Sequence, residues 1–247
     1  MKIVVPMQLV PDLVEDLEVD NTGKALNEED LKLKLNEFDD HALEEAIQLK
    51  ESDGAEVVAM TLDGEGADKL LFTALAKGAD KCLKITGAAA SDSHQRAKVF
   101  ANAISSEGYD LVLTGVQSVD DRDGQLGPIL ATYLDVPSVS VVSNVSISGS
   151  TVTLRKEYSG GYMAEYDVET PAVLGIQAAR QTPRYAPVSK IKQIQETMSI
   201  DNTEAGDSGS GSGSEITKMA PPAKGEGAKM LDSVDELIEV LKNAGAL

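Results

Sequence analysis

The residue types that most often carry catalysis are scarce in this chain. Its 247 residues include two histidines, His41 and His94, and one cysteine, Cys82. No His-x-x-x-His or Cys-x-x-Cys spacing occurs, and a single thiol is too few for a cysteine-type zinc site. Aspartate and glutamate number 41, so that almost any pair of them could be taken for an acid/base couple. The sequence therefore predicts neither a metal site nor a self-contained catalytic site.

The stretch from Gly115 to Pro128 has the composition of a ligand-binding loop. Gly115 permits close backbone approach, while Ser118 and Asp120 offer partners for ribose hydroxyl groups. A helix opening at 124–126 presents free N–H groups that suit a phosphate. The loop is neither a Walker A motif nor a Gly-x-Gly-x-x-Gly fingerprint. A polar loop with helix-capping acids has the same spacing, so spacing alone leaves both interpretations open.

The elements that would position this loop follow from hydrophobic periodicity. Short β-branched runs alternate with helical segments over the first 135 residues, which predicts a parallel sheet with crossover helices. Strands are expected at 2–7, 56–62, 81–85 and 109–114, and later, between Ser-Gly turns, at 138–147, 151–158, 162–168 and 172–176. The predicted fold class is α/β: an open, mostly parallel, doubly wound sheet with an antiparallel extension.

In such a sheet, ligands bind at the carboxyl ends of the strands, where the topology reverses. Four loops compete for that place, at 6–8, 35–38, 62–66 and 115–128. Helices are expected to begin near Asp39 and Ala67 and to stop at Gly54 and Gly78. Between the first strand and the first helix, turn residues at 20–24 predict a small inserted β-hairpin.

Acidic residues outnumber basic ones by 41 to 22, which gives a net charge of −19. Such a field repels phosphate backbones and anionic membranes, so nucleic-acid and membrane-surface roles are not expected. No apolar run approaches the roughly 20 residues that cross a bilayer. The apolar start lacks the basic residues and cleavage site of a signal peptide, which favours a cytoplasmic protein. Solubility, a salt-rich cytoplasm and an acidic docking surface all remain explanations of the charge.

The C-terminal part differs in composition from the rest. Residues 199–228 are rich in Gly, Ser, Pro, Ala and acids, which is typical of a flexible linker. Residues 229–247 form a predicted amphipathic helix capped by Asp232 or Ser233. Because a lone helix is unstable, it must dock on the core or on a partner chain. The predicted organisation is thus a nucleotide-binding domain over 1–198, the linker, and this C-terminal arm.

Five stretches resemble the small (beta) subunit of electron transfer flavoprotein, in the order found in that family. They are Lys2–Val5, Asn36–Ala46, Thr73–Asp80, the Gly115–Pro128 loop and Pro183–Ala186. Each stretch is weak alone, but five in register from residue 1 to about 200 argue against coincidence. The resemblance implies an α/β core of the adenine-nucleotide alpha-hydrolase-like kind.

The resemblance further implies an electron carrier rather than an enzyme. In the proteins of that family, a larger alpha subunit holds most of the FAD and the beta subunit holds AMP. Electrons come from dehydrogenases, such as the acyl-CoA dehydrogenases of fatty acid beta-oxidation, and leave to a quinone reductase. The positions that match the family's cofactor contacts are Pro6, Asn36, Glu37, Phe38, Asp39, Leu62, Gly115, Gln117, Ser118, Val119, Asp120, Asp121, Arg122, Asp123, Gly124, Gln125 and Leu126. Phe38 matches a position close to the flavin, with core packing as the alternative.

A recognition loop for partner dehydrogenases is also implied. Its residues here are Arg184, Tyr185, Ala186, Pro187, Val188, Lys190 and Lys192. Val188 stands where the family has an anchoring leucine, and an apolar anchor between cations suits an acidic, transient partner. A strand-to-linker connection with solvated lysines is the alternative. The family's C-terminal segment wraps onto the alpha subunit, which suggests the same place for the final helix.

The chain departs from the family pattern at several positions. The family's Asn-Pro-Phe reads Asn-Glu-Phe at 36–38, and Leu13 replaces a common aromatic residue, so flavin contacts can differ. Relatives that bifurcate electrons bind a second FAD in place of AMP and usually carry Asp-Gly-Asp-Thr in the long loop. Residues 120–123 read Asp-Asp-Arg-Asp, which favours AMP, whereas Gln-Leu-Gly-Pro at 125–128 resembles the bifurcating version. Arg122 either faces a phosphate or pairs among the acids.

Two functions outside this family also use such a crevice. A stand-alone nucleotide-binding regulator of the universal-stress type needs Gly-x-x-Gly followed by Gly-Ser or Gly-Thr, but the glycines at 115, 124 and 127 have the reverse order of spacing. A small-molecule enzyme could use Asp120 or Asp121 as a base. Both are kept as alternatives.

Overall fold

The structure is a computed structural model that describes residues 1–27, 29, 31–88, 90–223, 225 and 227–247. The chain divides into two compact units. The larger comprises Met1–Leu17 and Glu29–Glu215, and the smaller comprises Glu18–Glu28 and Ile216–Leu247.

The larger unit is an α/β sandwich. Its strands are β1 (Lys2–Pro6), β2 (Leu9–Pro11), β3 (Leu33–Leu35), β4 (Glu56–Leu62), β5 (Lys81–Thr86), β6 (Leu111–Gly115), β7 (Ser138–Ser148), β8 (Thr151–Tyr158), β9 (Tyr162–Glu169), β10 (Ala172–Ile176) and β11 (Asp201–Glu204). Its helices are α1 (Glu37–Asp53), α2 (Ala67–Lys77), α3 (Ser93–Glu107), α4 (Leu126–Leu134) and α5 (Val188–Thr197). Within the described residues, a nine-stranded sheet has the order β11-β5-β4-β1-β6-β10-β7-β8-β9, and β2 pairs with β3. The predicted fold class is confirmed.

Strand β1 is central and parallel to both of its neighbours, β4 and β6. Alternate residues of β1 face opposite layers: Ile3 and Val5 pack in a core cluster with residues of α1 and α2, and Val4 packs in another with residues of α3 and α4. After β1 the chain continues to β4 on one side and only later reaches β6 on the other. The sheet is therefore doubly wound, with its switch point between β1 and β6.

Beyond β10 in the sheet order, the strands alternate in direction. Strand β8 is antiparallel to both β7 and β9, as predicted. Strand β10 follows β9 in the chain but lies between β6 and β7, parallel to both. All five of its residues are buried, because it has neighbours on both edges and core on both faces.

Two sequence predictions were wrong in part. The predicted recognition loop through Lys192 is a loop only as far as Pro187, because α5 begins at Val188. Apolar residues recur at every third position from Val188, Ile194 packs against the core, and a proline suits the start of a helix.

The second correction concerns the predicted linker, 199–228. Four of its residues form β11, which pairs in parallel with the edge strand β5. The sequence Asp-Asn-Thr-Glu carries no strand signal, so backbone pairing with an existing strand supplies the order. Ala205, which follows β11, is buried in the core cluster of α3 and α4. The remainder of the linker stays a prediction.

The smaller unit contains the predicted hairpin. Val19 and Leu26 form an antiparallel bridge, and the Asp20 N–H donates to Ala25 O at 2.9 Å. Its helix α6 (Val234–Asn243) is capped by Ser233, whose Oγ accepts the Glu236 N–H at 3.2 Å. Within α6 no residue is buried.

Candidate functional site

The carboxyl ends of three neighbouring strands form one edge of the sheet. Pro6 ends β1, Leu62 ends β4 and Gly115 ends β6, and β1 lies between the other two. Because the three strands are parallel, these residues lie at the same edge. The crevice expected at a switch point is thus bounded by the loops that the sequence singled out.

The N-terminus of α1 ties two of these loops together. Asn36, the residue before the helix, donates its backbone N–H to Gln8 O at 3.0 Å. Its side-chain Nδ2 donates to Gln117 O, also at 3.0 Å. The loop after β1 and the loop after β6 are therefore both attached to the start of α1.

Asp39 makes the same connection inside the protein. Its Oδ1 accepts the Gly115 N–H at 3.0 Å, and its Oδ2 accepts the Gln8 N–H at 2.9 Å. The side chain is buried. Burial raises the pKa of Asp39 to about 7, although hydrogen bonds, including those from the two N–H groups, act in the opposite direction. The carboxyl group thus has a structural role at the base of the crevice.

Gly115 has no room for a side chain. A methyl group there would lie 2.5 Å from Asp39 Oδ1 and 2.7 Å from Phe38 Cβ. The backbone of β6 therefore approaches α1 as closely as a glycine allows.

Some carboxylates of the long loop accept hydrogen bonds from the backbone of the same loop. Asp121 Oδ1 accepts the Asp123 N–H at 3.2 Å, and Asp123 Oδ1 accepts the Gln125 N–H at 2.9 Å. Ser93 Oγ, at the start of α3, donates to Asp123 Oδ2 at 2.7 Å and to Asp121 Oδ2 at 3.1 Å. The loop is thus held to α3, and helix-capping acids are one part of its structure.

The carboxylates of this loop lie close enough together to repel one another. Burial raises the pKa of Asp121, and the nearby charges of Asp123 and Asp120 raise it further. Ser118 Oγ donates to Asp120. Arg96 of α3 lies 3.5 Å from Asp121 Oδ2 and supplies a compensating cation.

Arg96, rather than Arg122, is the cation directed at the acids. Its Nη1 also donates to Gln8 Oε1 at 3.0 Å, so α3 is joined to the loop after β1. Arg122 is exposed in a left-handed backbone conformation, with φ at 54°, and its N–H donates to Ser118 O. The guanidinium of Arg122 remains a candidate for a phosphate.

Two buried oxygens among the described residues have no hydrogen-bond partner. They are Asn36 Oδ1 and Thr114 Oγ1, one at the start of α1 and one next to Gly115. Thr114 Oγ1 is on the α4 side of β6, where a methyl group on Gly127 would lie 3.0 Å from it. Buried polar atoms are almost always satisfied, so each of the two oxygens is consistent with a polar ligand atom near its own side of this sheet edge.

The other predicted contact residues lie along the same loops. Glu37 is exposed and Phe38 half-buried in the first turn of α1, Val119 is half-buried, and Gly124, Gln125 and Leu126 lead into α4. Phe38 is not among the buried residues of the core clusters in the described chain, which weakens the packing alternative.

The predicted recognition segment is divided between exposed and internal residues. Tyr185 is 80% exposed and Val188 62% exposed, and Lys190 and Lys192 are also exposed. Ala186 is buried, and Pro187 precedes α5. Arg184 points inward instead, to carboxylates of α1.

Known proteins resemble the chain along its whole length. The sequence profile of the electron transfer flavoprotein domain matches residues 24–202. The electron transfer flavoprotein subunit beta of Methylophilus methylotrophus is 34% identical over 249 residues, which cover 96% of this chain and 94% of that protein. The chain belongs to the electron transfer flavoprotein family. The Bos taurus subunit beta is 29% identical and covers 100% of this chain, and the mitochondrial subunit beta of Arabidopsis thaliana is 29% identical and covers 98%.

Membership in the electron transfer flavoprotein family, as a beta subunit, implies a flavin and an alpha subunit as partner. It also assigns the chain to electron transfer. No helix formed by the described residues combines the length and apolar character needed to cross a bilayer. The same residues contain no group of three or more His, Cys, Asp or Glu placed to hold a metal ion.

Sequence reasoning missed the contribution of α3 to this electron transfer flavoprotein crevice. Ser93 and Arg96 hold the long loop, and Gln8 accepts a hydrogen bond from Arg96 and donates its backbone N–H to Asp39. A topological signal was present: α3 follows a parallel strand, so its start must lie at the carboxyl edge of the sheet. His41, which the sequence does not mark as a structural residue, is half-buried and accepts the Ala179 N–H at 3.2 Å.

Proposed function

We propose that this chain is the beta subunit of a heterodimer that carries electrons from dehydrogenases, such as acyl-CoA dehydrogenases, to a quinone reductase. The alpha subunit holds most of the FAD, and the crevice at the β1/β6 switch point holds AMP. FAD, when bound, supplies the redox chemistry, and the residues of this chain bind and orient. The observation that carries the proposal is the match to proteins named beta subunits over 94% or more of their length. It is supported by the neighbouring positions of the strand ends from which three of the four loops leave, and of the start of α1, at one edge of the sheet.

Several features of the crevice fit a nucleotide. Asn36 Oδ1 can accept a hydrogen bond, and Thr114 Oγ1 can donate one. Gly115 allows the start of α1 to pack directly against the end of β6, which keeps the two loops side by side. The free N–H groups at the start of α4, whose first turn has no acidic residue, suit a phosphate. We assign the cofactor contacts to the residues from Pro6 to Leu126 that the resemblance identifies.

AMP is favoured over a second FAD by residues 120–123, because the Asp-Gly-Asp-Thr of bifurcating relatives is absent. The adjoining Gln-Leu-Gly-Pro supports the alternative, an electron-bifurcating complex with FAD in both places. The two assignments differ in the nucleotide bound, and counting nucleotides separates them.

Two surfaces are assigned to protein partners. The exposed side chains of Tyr185 and Val188, with the lysines of α5, form the dehydrogenase-docking surface. The helix α6 docks on the alpha subunit, since its apolar residues, including Val234 and Leu237, are exposed in this chain. If α6 docks in this way, protease cuts 208–214 more slowly in the heterodimer than in the free subunit.

The decisive experiment is co-expression with the alpha subunit, purification of the complex, and chromatographic identification of the released nucleotides. We expect equal amounts of FAD and AMP. Two FAD per complex and no AMP would move the assignment to bifurcation. A chain that binds nucleotide but no flavin-bearing partner would be a stand-alone regulator. Turnover of a small molecule by the flavin-free chain would instead indicate an enzyme.

A further inference from the structure

The segment between β10 and α5, residues 177–187, contains no helix or strand, yet it is held firmly by α1. Three of its backbone N–H groups donate to side chains of α1. The pairs are Ala179 to His41 Nδ1 at 3.2 Å, Arg180 to Glu45 Oε2 at 2.9 Å and Arg184 to Glu44 Oε2 at 3.0 Å. The side chains of one helix thus take the place of a neighbouring strand for this segment.

Two carboxylates of α1 bind the guanidinium of Arg184. Its Nε and Nη2 each bond Glu44, both at 2.9 Å, and its Nη1 and Nη2 bond Glu51 at 2.5 and 3.0 Å. All three nitrogens therefore have acceptors inside this chain. Such forked pairs fix orientation as well as charge. Hydrogen bonds from Glu51 and Glu44 raise the pKa of Arg184 above its ordinary value.

A second ion pair holds the start of the same segment. Arg180 Nε lies 2.9 Å from Glu45 Oε1, and that oxygen also accepts the Val145 N–H of β7 at 3.2 Å. The Glu45 side chain is buried, so its charge needs this partner. The segment is consequently fixed at 179–180 and again at 184.

These anchors determine what the next residues can do. Tyr185 and Val188 are exposed, while Ala186, between them, is buried. A flexible loop would lose conformational entropy when a partner bound these side chains, whereas a fixed one has lost it already. Tyr185 and Val188, exposed on either side of the buried Ala186 and next to the anchored Arg184, therefore form a pre-organised contact surface.

We propose that Glu44, Glu51 and Arg184 form a clamp that holds residues 185–188 in the conformation that a partner dehydrogenase binds. Arg184 is then a positioning residue and makes no contact with the partner, in contrast to its place in the expected recognition loop. The inference rests on the proposed docking function of this surface and adds the residues that control its shape.

The variant Glu51→Gln separates positioning from direct contact by the sign of its effect. If Arg184 positions the surface, the loss of the Glu51 carboxylate loosens it, and the KM of the dehydrogenase for the heterodimer rises. If Arg184 itself binds an acidic partner, the loss of an internal competitor strengthens binding, and KM falls. Glu51 is suitable for substitution because it is exposed, so that its replacement disturbs no buried packing. The buried Glu44 is unchanged in the variant and keeps its own bonds to Arg184.

The experiment uses the heterodimer with its flavin and measures dehydrogenase-dependent flavin reduction at varied heterodimer concentration. We expect Glu51→Gln to raise KM by about 2- to 10-fold, the effect of ordering one further side chain, with kcat and flavin content unchanged. The matched control is Glu165→Gln: Glu165 is 61% exposed and pairs with Arg155, as Glu51 is 58% exposed and pairs with Arg184. The control should leave KM unchanged.

Amide hydrogen exchange provides a readout that does not need a dehydrogenase. In the isolated heterodimer, the amides of 185, 186 and 188 should exchange faster in Glu51→Gln than in the wild type or in Glu165→Gln. Unchanged exchange, or faster exchange with an unchanged or lower KM, would overturn the clamp. If no dehydrogenase reduces the wild-type heterodimer, the proposed function fails, while the exchange rates still decide whether the clamp orders this segment.

Discussion

Asp39 joins the end of β6 to the loop after β1 through two hydrogen bonds. One carboxylate binds the N–H groups of Gly115 and Gln8, and these residues follow or end two different strands. The cost is a buried carboxyl group whose pKa is raised to about 7. Between the ordinary value near 4 and this raised value, the folded protein binds the proton more tightly than the unfolded chain does.

The first prediction is that Asp39 makes the protein less stable as the pH rises from about 4 to 7. Ionisation of the buried group then opposes folding, by up to about 1.4 kcal/mol per pH unit. Urea unfolding at a series of pH values should show the stability advantage of wild type over Asp39→Asn shrinking over that range and staying constant above it. The control Asp16→Asn removes an exposed carboxylate instead. An advantage that is constant or grows with pH would show that the N–H donors keep Asp39 ionised.

The second prediction concerns the close approach at Gly115. Gly115→Ala should reduce the free energy of unfolding by about 1–3 kcal/mol or more, because the new methyl group overlaps Asp39 and the backbone of Phe38. The heterodimer should also retain less nucleotide. Gly64→Ala is the control, since a methyl group there meets no atom within 4 Å. Equal stability of the two variants in urea unfolding would contradict this account.

At the scale of elements, helix α3 organises more of the molecule than its sequence suggests. Its first turn holds the long loop through Ser93. Farther along, Asn102 Nδ2 donates to Ala205 O at 3.0 Å and to Asp207 O at 2.9 Å. Asp92, which caps α3, accepts the Ser212 N–H at 2.6 Å. The start of the predicted linker is therefore laid along α3.

The third prediction follows from these contacts. Asn102→Ala removes two hydrogen bonds to the chain after β11, so a non-specific protease should cut residues 206–214 several-fold faster than in the wild type. The melting temperature should change little, because this segment buries few apolar residues. Ser106→Ala, on the same helix, is the control, since the Ser106 side chain donates only to Asn102 O. Equal cutting rates for all three proteins would show that the Asn102 hydrogen bonds do not hold residues 206–214 on α3.

At the scale of the whole molecule, part of the acidity is structural. Asp39, Glu44 and Glu45 are buried and hold loops, and the excess of 41 acidic over 22 basic residues gives the whole chain a net charge of −19. A surface of one dominant sign favours solubility but opposes the compact state by self-repulsion.

The fourth prediction is that salt stabilises the protein. Added NaCl should raise the melting temperature, by about 2–4 °C for each kcal/mol of repulsion that is screened. Most of the rise should occur at low salt, and KCl should act equally, because screening depends on ionic strength. A melting temperature that is unchanged, or that differs between the two salts, would assign the acidity to another cause.

The layers of the fold and the positions of its loops follow from local sequence patterns. Period-two and helical patterns located the main strands and the first two helices, since burial of one face imposes those periods on any chain. Glycines at the loop after β6 and acids at the start of α1 indicated where the crevice lies, because backbone approach and helix starts require those residue types.

Which elements lie next to one another depends instead on long-range contacts. The place of β10 between β6 and β7, the pairing of polar β11 with β5, and the start of α5 at Val188 depend on surfaces contributed by distant residues. The same holds for Arg184, whose positive charge suggested a partner outside the chain but is matched by Glu44 and Glu51. Local patterns report the face that a residue presents, whereas long-range pairing energies select its neighbour.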